Sequence, residues 1–242
     1  MKSNDKEKTD VNIDDVAITF EVDSEVIEGV RKGEIRRLEL NMKDDELNLE
    51  ELQFIVLVDG DNHCLTRILE VNVEETIDEG CKWKVFFNIV PLLDEPRKYL
   101  MRWNPAISSF SESDYEKCLE NMERGMFRIN WSIYEWEEAR VGDMFYMMRV
   151  GDKKAGIVFS GIIASDPYVM DDWAGTTKRR LYVDLVCLNA VAPGEKPLIT
   201  LDMLQTAIPE INWAKGHSGV LLSENVAEKL IGLMDTDAPL LN

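Results

Sequence analysis

The stretch from Lys98 to Pro167 constrains the fold more than any other part of the chain, because short apolar segments alternate there with turn-forming residues. The segments read K-Y-L-M-R-W, N-W-S-I-Y-E-W, V-G-D-M-F-Y-M-M and G-I-V-F-S-G-I-I-A. Apolar runs of this length, bounded by Gly, Pro, Asn and Asp, are typical of β-strands. The stretch also holds three of the six tryptophans. It therefore forms either the wall and floor of a binding pocket or a well-packed β core.

The composition is that of a soluble globular protein. Of the 242 residues, 45% are hydrophobic and 30% are charged, which is typical of folded domains. No apolar run approaches the roughly 18 residues that cross a bilayer. The first ten residues are polar and lack the apolar middle of a secretory signal. We therefore expect a cytoplasmic protein with no membrane contact.

The cysteines and histidines form no metal-binding pattern. The four cysteines stand at positions 64, 81, 118 and 187 without a C-x-x-C pair, which in a cytoplasmic chain favours reduced thiols. His63 and His217 are the only histidines, so a zinc site would need ligands from distant segments. P-loop, dinucleotide and H-E-x-x-H motifs are absent from the sequence. We predict neither a metal site nor a cofactor.

The net charge of −19 is unevenly distributed. Residues 1–97 hold 12 Lys and Arg against 25 Asp and Glu, whereas residues 98–242 hold 15 against 21. Phosphate binding depends on Lys and Arg, so the overall acidity argues against a general nucleic-acid-binding surface. The C-terminal part can still carry a local basic patch. The acidic N-terminal part is a candidate surface for a protein partner.

The pattern of elements predicts an α+β protein with two domains. Residues 1–12 are predicted to be a frayed leader. Residues 13–95 contain five strand patterns and one short amphipathic helix, in the order β-α-β-β-β-β, which predicts a small acidic α+β domain. A boundary is expected at P-L-L-D-E-P-R-K, because Pro91 and Pro96 oppose continued strand pairing. In residues 96–236, several non-adjacent strands with short helices between them predict a closed β barrel decorated by helices.

The second domain resembles a known family. The order is K-Y-L-M-R-W-N-P, a Trp-bearing segment, V-G-D-M-F-Y-M-M-R-V-G, K-A-G-I-V-F-S-G-I-I-A-S-D-P-Y and L-Y-V-D-L-V. This order is similar to that of the EVE domain of the PUA-like superfamily, which also includes the YTH and ASCH domains, and it covers residues 98–230. The resemblance implies a PUA-like closed barrel that binds a nucleic acid or nucleotide with a modified base. The helix predicted from Ser111 to Arg124 and the sequence W-N-P-A after the first strand depart from the family pattern.

The first domain carries a weaker similarity to the ASCH pattern. The segment V-R-K-G-E-I-R-R-L-E, from Val30 to Glu39, resembles the family's G-E-K-T-x-E-x-R motif but lacks its Thr. Some ASCH proteins hydrolyse modified nucleosides with a Lys, a Thr and an acid. The resemblance implies an alternative function, an ASCH-like hydrolase, in which Lys32, Glu34 or Glu39 would point into a cavity.

The aromatic and polar candidates for ligand binding lie in the second domain. Trp103, Trp131 and Trp136 can form an aromatic cage that stacks on a base, or they can simply fill the barrel. With the resemblance, Trp131 and the adjacent Ser132 are the strongest candidates.

Three further polar residues can contact a ligand. Asn104 can read a base edge with its amide, or it can start a turn, as Asn-Pro dipeptides do. His217 and Ser218 lie between two glycines in K-G-H-S-G, a segment that differs from the G-x-S-x-G nucleophile motif. This segment forms a ligand-contacting loop or a structural turn.

The dense basic grouping of the chain supplies the candidate phosphate contacts, with a solvated hairpin end as the alternative. These residues are Arg149, Lys153, Lys154, Lys178, Arg179 and Arg180. The leading hypothesis is a non-catalytic module that binds a modified base in DNA, RNA or a nucleotide. A hydrolase and a protein-interaction domain without a ligand are the alternatives.

Overall fold

The computed structural model describes residues 17–42, 49, 52–76, 82–122, 127–173 and 175–237. The predicted leader and the predicted end of the helix at Gly125 lie outside the described residues. Secondary structure is mostly strand with short helices, which confirms the α+β class. Within the described ranges, no helix is long and apolar enough to cross a membrane.

The first sheet has five strands with one helix packed against it. Its elements are β1 (Ala17–Glu21), α1 (Ser24–Arg31), β2 (Arg37–Met42), β3 (Phe54–Asp59), β4 (Asn62–Glu75) and β5 (Trp83–Pro91). The strand order is β1-β3-β4-β5-β2, with β1 parallel to β3 and the other pairs antiparallel. Ile27 and Val30 of α1 are fully buried in the core beneath the sheet. The order of elements matches the predicted β-α-β-β-β-β.

The second sheet contains eight strands and carries the remaining helices. Its elements are β6 (Lys98–Trp103), α2 (Glu112–Glu120), β7 (Arg128–Ser132), β8 (Met144–Arg149), β9 (Gly156–Ile163), β10 (Tyr168–Asp171), β11 (Arg179–Ala190), β12 (Ile199–Thr200), α3 (Leu201–Ala207), β13 (Val220–Leu221) and α4 (Glu224–Asp237). The main path runs β10-β11-β9-β8-β6-β13, while β7 pairs with β11 and β12 with β9. Strands β6 and β8 are parallel.

The second sheet curls until its two ends meet. Just past the end of β7, the backbone N–H of Tyr134 donates to the carbonyls of Ser218 at 3.0 Å and Gly219 at 3.2 Å. The N–H of Gly219 in turn donates to the carbonyl of Leu100 in β6 at 2.9 Å. Gly219 has φ +76° and an added Cβ would lie 2.5 Å from Ile133 Cα, so only glycine allows this close approach.

The interior of the curl is an aromatic core. Trp103, Tyr115, Phe127 and Phe159 are buried there, with the rings of Tyr115 and Phe159 stacked at 5.3 Å. On the other side of β6 and β8, Trp213 and the apolar faces of α3 and α4 form a second core. Both sides of these central strands are therefore buried, which explains their almost continuous apolar sequence.

The two sheets share a small hydrophobic cluster. Val90 at the end of β5 packs with Ile162 and Val186 of the second sheet and with Val141 in the turn before β8. A salt bridge between Arg36 and Asp166 spans the same boundary. The short connection between Pro91 and Lys98 thus joins two sheets that are in direct contact.

Candidate functional site

A cleft of about 840 Å³ lies along the edge of β7. It is bounded by the loop 104–110, the loop 214–218 and the β10–β11 hairpin. Its lining residues are Arg102, Asn104, Ile107, Ser108, Ser109, Phe110, Arg128, Ile129, Asn130, Trp131, Ser132, Ile133, Tyr134, Trp136, Val150, Trp173, Arg180, Leu181, Tyr182, Ala214, Gly216, His217 and Ser218. This volume lies within the range typical of small-molecule sites.

The floor of the cleft is organised around Ser218. The indole Nε1 of Trp131 donates to Ser218 Oγ at 2.9 Å, and the backbone N–H of Arg102 donates to the same oxygen at 2.9 Å. The ring of Phe110 meets Trp131 edge-on, with centroids 5.9 Å apart. Trp131 is 9% exposed, so one part of its indole borders the cleft while the rest packs in the core. Its orientation is therefore set by both packing and a hydrogen bond.

Arg102 holds the loop 212–218 in place. Its guanidinium donates to the carbonyl of His217 and, at 3.0 Å, to that of Asn212. Burial lowers the pKa of Arg102 from its ordinary value. Among the described residues, its buried Nε has no hydrogen-bond partner. Both terminal nitrogens thus donate within the protein itself, although the side chain lines the cleft.

Exposed aromatic side chains form the rim of the cleft. The rings of Tyr134 and His217 are stacked, with centroids 3.9 Å apart and an angle of 8° between their planes. Trp136 is 41% exposed and Trp173 is 43% exposed, while Ile107 is more exposed still. Large apolar side chains left in water at one place are typical of binding surfaces.

The charge of the cleft is opposite to that of the chain. Three arginines line it, but Asp, Glu and Lys are absent from the lining found among the described residues, although the chain contains 46 Asp and Glu. Two of the arginines pair with carboxylates that are outside this lining. Arg180 Nε lies 2.8 Å from Asp172 Oδ1 and its Nη2 donates to Asp172 Oδ2 at 3.5 Å, while Asp184 lies 3.8 Å from Arg128. The cleft surface therefore favours an anionic or neutral ligand.

The edge of β7 also offers main-chain groups to the cleft. The N–H of Ile133 donates to the carbonyl of Leu181 on β11 at 2.9 Å. Because pairing alternates along an antiparallel ladder, the N–H and C=O groups of Asn130 and Ser132 point away from β11, toward the cleft. They present donors and acceptors beside Trp131.

The structure separates the predicted ligand-binding residues into two groups. The residues that line the cleft are Asn104, Trp131, Ser132, Trp136, His217 and Ser218. Trp103 is completely buried, and its indole Nε1 donates to the carbonyl of Phe110 at 2.8 Å. It therefore belongs to the core rather than to an aromatic cage. The Oδ1 of Asn104 accepts from the N–H of Ala106 at 3.1 Å, so part of its amide is used in a turn.

The predicted phosphate contacts do not form one patch. Arg149 is buried, pairs with Asp152 at 2.6 Å and Glu112 at 2.9 Å, and lies over the ring of Trp103. Lys154 also pairs with Glu112, at 3.3 Å. Three others, Lys153, Lys178 and Arg179, are exposed but do not line the cleft. Arg180 alone of the six lies on the cleft wall.

The lining residues that were not predicted include Arg102, Arg128, Tyr134 and Trp173. Trp173 stands in the polar segment D-D-W-A-G-T-T-K, where a buried aromatic side chain is not expected, and this is the signal that could have identified it. Arg102 and Arg128 carry no local signal, because single arginines in strands are common and their position depends on the curl of the sheet.

The first sheet does not present the residues that the hydrolase hypothesis needs. Lys32, Glu34 and Glu39 are exposed, and Glu39 pairs with Lys84 at 3.5 Å. None of the three lines the cleft. In the described part of the chain, no group of three or more His, Cys, Asp and Glu side chains is arranged to hold a metal ion.

Comparisons with known proteins reach only weak structural similarity. No protein-family model and no curated protein matches the sequence. A protein from Pseudomonas putida is 14% identical, with a TM-score of 0.40, 57% of this chain and 99% of that chain covered. A hypothetical protein from Leishmania major is 11% identical, with a TM-score of 0.40 and coverage of 59% and 97%. The Mmi1 YTH domain in complex with RNA is 10% identical, with a TM-score of 0.37 and coverage of 61% and 85%. At TM-scores this low, the similarities establish neither a shared fold nor a shared function.

Proposed function

We propose that the chain is a non-catalytic binding module that holds a base of a nucleic acid or nucleotide in the cleft along β7. Modified bases are the proposed class of ligand. Trp131 and Ser132 contact the base, Trp136 and the Tyr134–His217 pair flank it, and Arg128 and Arg180 attract its phosphates. The alternative without a ligand predicts closed packing around Trp103, Trp131 and Trp136. Trp103 is packed in the core, whereas the open cleft at Trp131 and Trp136 favours binding.

The observation that carries this proposal is the composition of the cleft lining. Among the described residues of the lining, exposed or partly exposed aromatic rings occur together with three arginines and without a carboxylate, in a chain of net charge −19. Stacking of a base on an aromatic side chain contributes roughly 1–3 kcal/mol, and any base can stack because each has a π face. Arginine adds attraction to phosphate and to the π faces.

The main-chain groups at the edge of β7 supply the means to distinguish one base from another. A flat base stacked near Trp131 brings its hydrogen-bonding edge to the N–H and C=O groups of Asn130 and Ser132. Such groups recognise donor and acceptor positions, whereas stacking does not. Their position supports a site that reads a base rather than only the backbone.

We also propose that residues 96–236 form a PUA-like closed barrel of the EVE type and that residues 13–95 form a separate acidic domain. The hydrogen bonds from Tyr134 to Ser218 and Gly219, which join the ends of the second sheet, support the closed barrel. The excess of Asp and Glu in the N-terminal part supports a role of that domain in contacting a protein partner.

Binding measurements on the full chain test the proposed function. The ligands are nucleosides, mononucleotides and RNA and DNA hexanucleotides with ordinary and methylated bases. Trp136→Ala and Trp173→Ala are expected to weaken binding roughly 5- to 150-fold each, the equivalent of about 1–3 kcal/mol. Both side chains are substantially exposed, so the fold should be retained.

Leu188→Ala provides the matched control, since Leu188 is an exposed apolar residue away from the cleft. It should leave the affinity unchanged. Absence of binding to every ligand of the panel would refute the proposed function.

A further inference from the structure

Building on the proposed function, we infer that the ligand is a single-stranded oligonucleotide held at two separated phosphates, one at Arg128 and one at Arg180, with a base between them at Trp131. A nucleoside or mononucleotide would then occupy only part of the site. Arg102, although it lines the same cleft, serves to position the loop 212–218 and not to bind phosphate.

The strand register gives the spacing of the two arginines. Arg128 pairs with Val186 of β11, and Trp131 pairs with Val183. Trp131 therefore lies level with the midpoint between Arg180 and Val186. The six residue steps from Arg180 to Val186, at about 3.3 Å each, cover roughly 20 Å along β11. Because Arg128 lies beside Val186, the two arginines are separated by about this distance along the strands.

The two arginines also project from the same face of the sheet. Ser132 pairs directly with Tyr182, and cross-strand partners share a face while neighbours along a strand alternate. Arg128 is an even number of residues from Ser132 along β7, and Arg180 is an even number of residues from Tyr182 along β11. Both arginines therefore lie on the same face as the Ser132–Tyr182 pair. A nucleic-acid backbone can follow that face from one arginine to the other. A base between them can then turn over the edge of β7 to reach Trp131.

Both guanidinium groups keep donors free for a phosphate. The Arg180 side chain is 49% exposed, and its pairing through Nε and one terminal nitrogen to the buried Asp172 fixes its direction. The Arg128 side chain is 42% exposed, and its nearest carboxylate oxygen, in Asp184, is 3.8 Å away. A guanidinium has five N–H donors, and neither pairing uses them all.

Arg102 differs in that both of its terminal nitrogens donate to main-chain carbonyls of the loop 212–218 rather than to a carboxylate. Its two terminal nitrogens donate to the carbonyls of His217 and Asn212. Gly216 packs against it, since an added Cβ would lie 3.3 Å from its Cζ. It acts on the ligand through the position of His217 and Ser218.

The span sets the length of the ligand. At a stacked rise of about 3.4 Å per nucleotide, 20 Å corresponds to about six nucleotides, and to fewer when the backbone is extended. One nucleotide carries its phosphate close to its own base and can reach only one of the arginines.

The salt dependence of binding tests this inference, because each phosphate contact with a single strand contributes a slope of about −0.7 to log K against log salt concentration. We use the tightest-binding hexanucleotide of the panel, with its nucleoside and mononucleotide. The expected slopes are about −1.4 for the hexanucleotide, about −0.7 for the mononucleotide and about zero for the nucleoside.

The variants separate the roles of the arginines. Arg128→Met and Arg180→Met should each reduce the hexanucleotide slope to about −0.7 without changing nucleoside affinity. Arg102→Met should weaken nucleoside and hexanucleotide by the same factor with an unchanged slope. Lys196→Met removes one charge at an exposed position outside the cleft and should change neither quantity.

Two results would overturn the inference while leaving the proposed function intact. One is a mononucleotide that binds as tightly as the hexanucleotide with the same slope. The other is a hexanucleotide slope that Arg128→Met and Arg180→Met leave unchanged. Failure of every ligand to bind refutes the proposed function itself and is distinct from both.

Discussion

Ser218 connects the floor of the cleft to β6 through a single oxygen. Ser218→Ala removes the acceptor for Trp131 Nε1 and for the Arg102 main chain. A buried donor without a partner costs about 1–3 kcal/mol. We expect the free energy of unfolding to fall by about that amount, measured by urea denaturation followed by tryptophan fluorescence.

Ser109→Ala is the control for this prediction. Ser109 lines the same cleft but is exposed, so its removal should change stability by about 0.5 kcal/mol or less. Equal stability of the two variants would show that the Ser218 hydroxyl does not support the floor.

The tryptophans show how far residue-level prediction reaches. The sequence identifies Trp103 and Trp131 equally well as large apolar residues on predicted strands of the second domain. Their different positions depend on partners distant in sequence, since the ring of Phe159 packs against Trp103 in the core, while Ser218, 87 residues away, accepts from the indole of Trp131 at the cleft. No local sequence pattern shows which of the two side chains is covered by the rest of the fold, and for this reason sequence alone places Trp103 among the ligand-binding candidates.

The sequence predicts the position of strands that have a continuous apolar pattern. The predicted strands at 156–164 and 180–188 are observed as β9 (Gly156–Ile163) and β11 (Arg179–Ala190). The two-residue strands β12 and β13 were not predicted, because they exist only through pairing with β9 and β6. The cleft depends on the loop that precedes β13, so this part of the site was beyond sequence analysis as well.

Arg149 links β8 to α2 and to the following turn. Hydrogen bonds from Arg149 hold the pKa values of Glu112 and Asp152 below their ordinary values of 4.5 and 3.8. A carboxyl whose pKa is lowered by folding stabilises the protein above its unfolded pKa, and this contribution is lost as the pH falls. The ion pairs of Arg149 with Glu112 and Asp152 therefore stabilise the fold less at low pH.

Arg149→Met should lower the free energy of unfolding by roughly 1–3 kcal/mol at pH 7, because the carboxylates are more than a third exposed and the pairing is partly screened. The difference from the unsubstituted protein should shrink as the pH falls below about 4.5. Urea denaturation at several pH values between about 3 and 7 measures it. A difference that stays constant with pH would mean that Arg149 acts by packing alone, and Lys196→Met should show no difference at any pH.

The net charge of the whole molecule is negative, whereas the charged side chains that line the cleft in the described part of the chain are arginines. The net charge of −19 destabilises the folded state by self-repulsion, which salt screens. The cleft instead attracts an anionic ligand, and salt weakens that attraction. The two effects of salt therefore have opposite signs.

Raising NaCl from about 20 to about 200 mM should raise the midpoint of thermal unfolding and weaken hexanucleotide binding over the same range. Differential scanning calorimetry and fluorescence anisotropy measure the two quantities on one preparation. If salt strengthened binding, contacts with phosphate would not contribute to affinity.

The meeting of the two ends of the second sheet also bears on the order of folding. The side chain of Glu135 accepts from the N–H of Leu221, 86 residues away in sequence, beside the bonds from Tyr134 to Ser218 and Gly219. Contacts between residues so distant raise the contact order and slow folding, because a long loop must close before they form. The cleft needs this closure, so we expect binding competence to appear among the last events of refolding, after most of the strand content has formed.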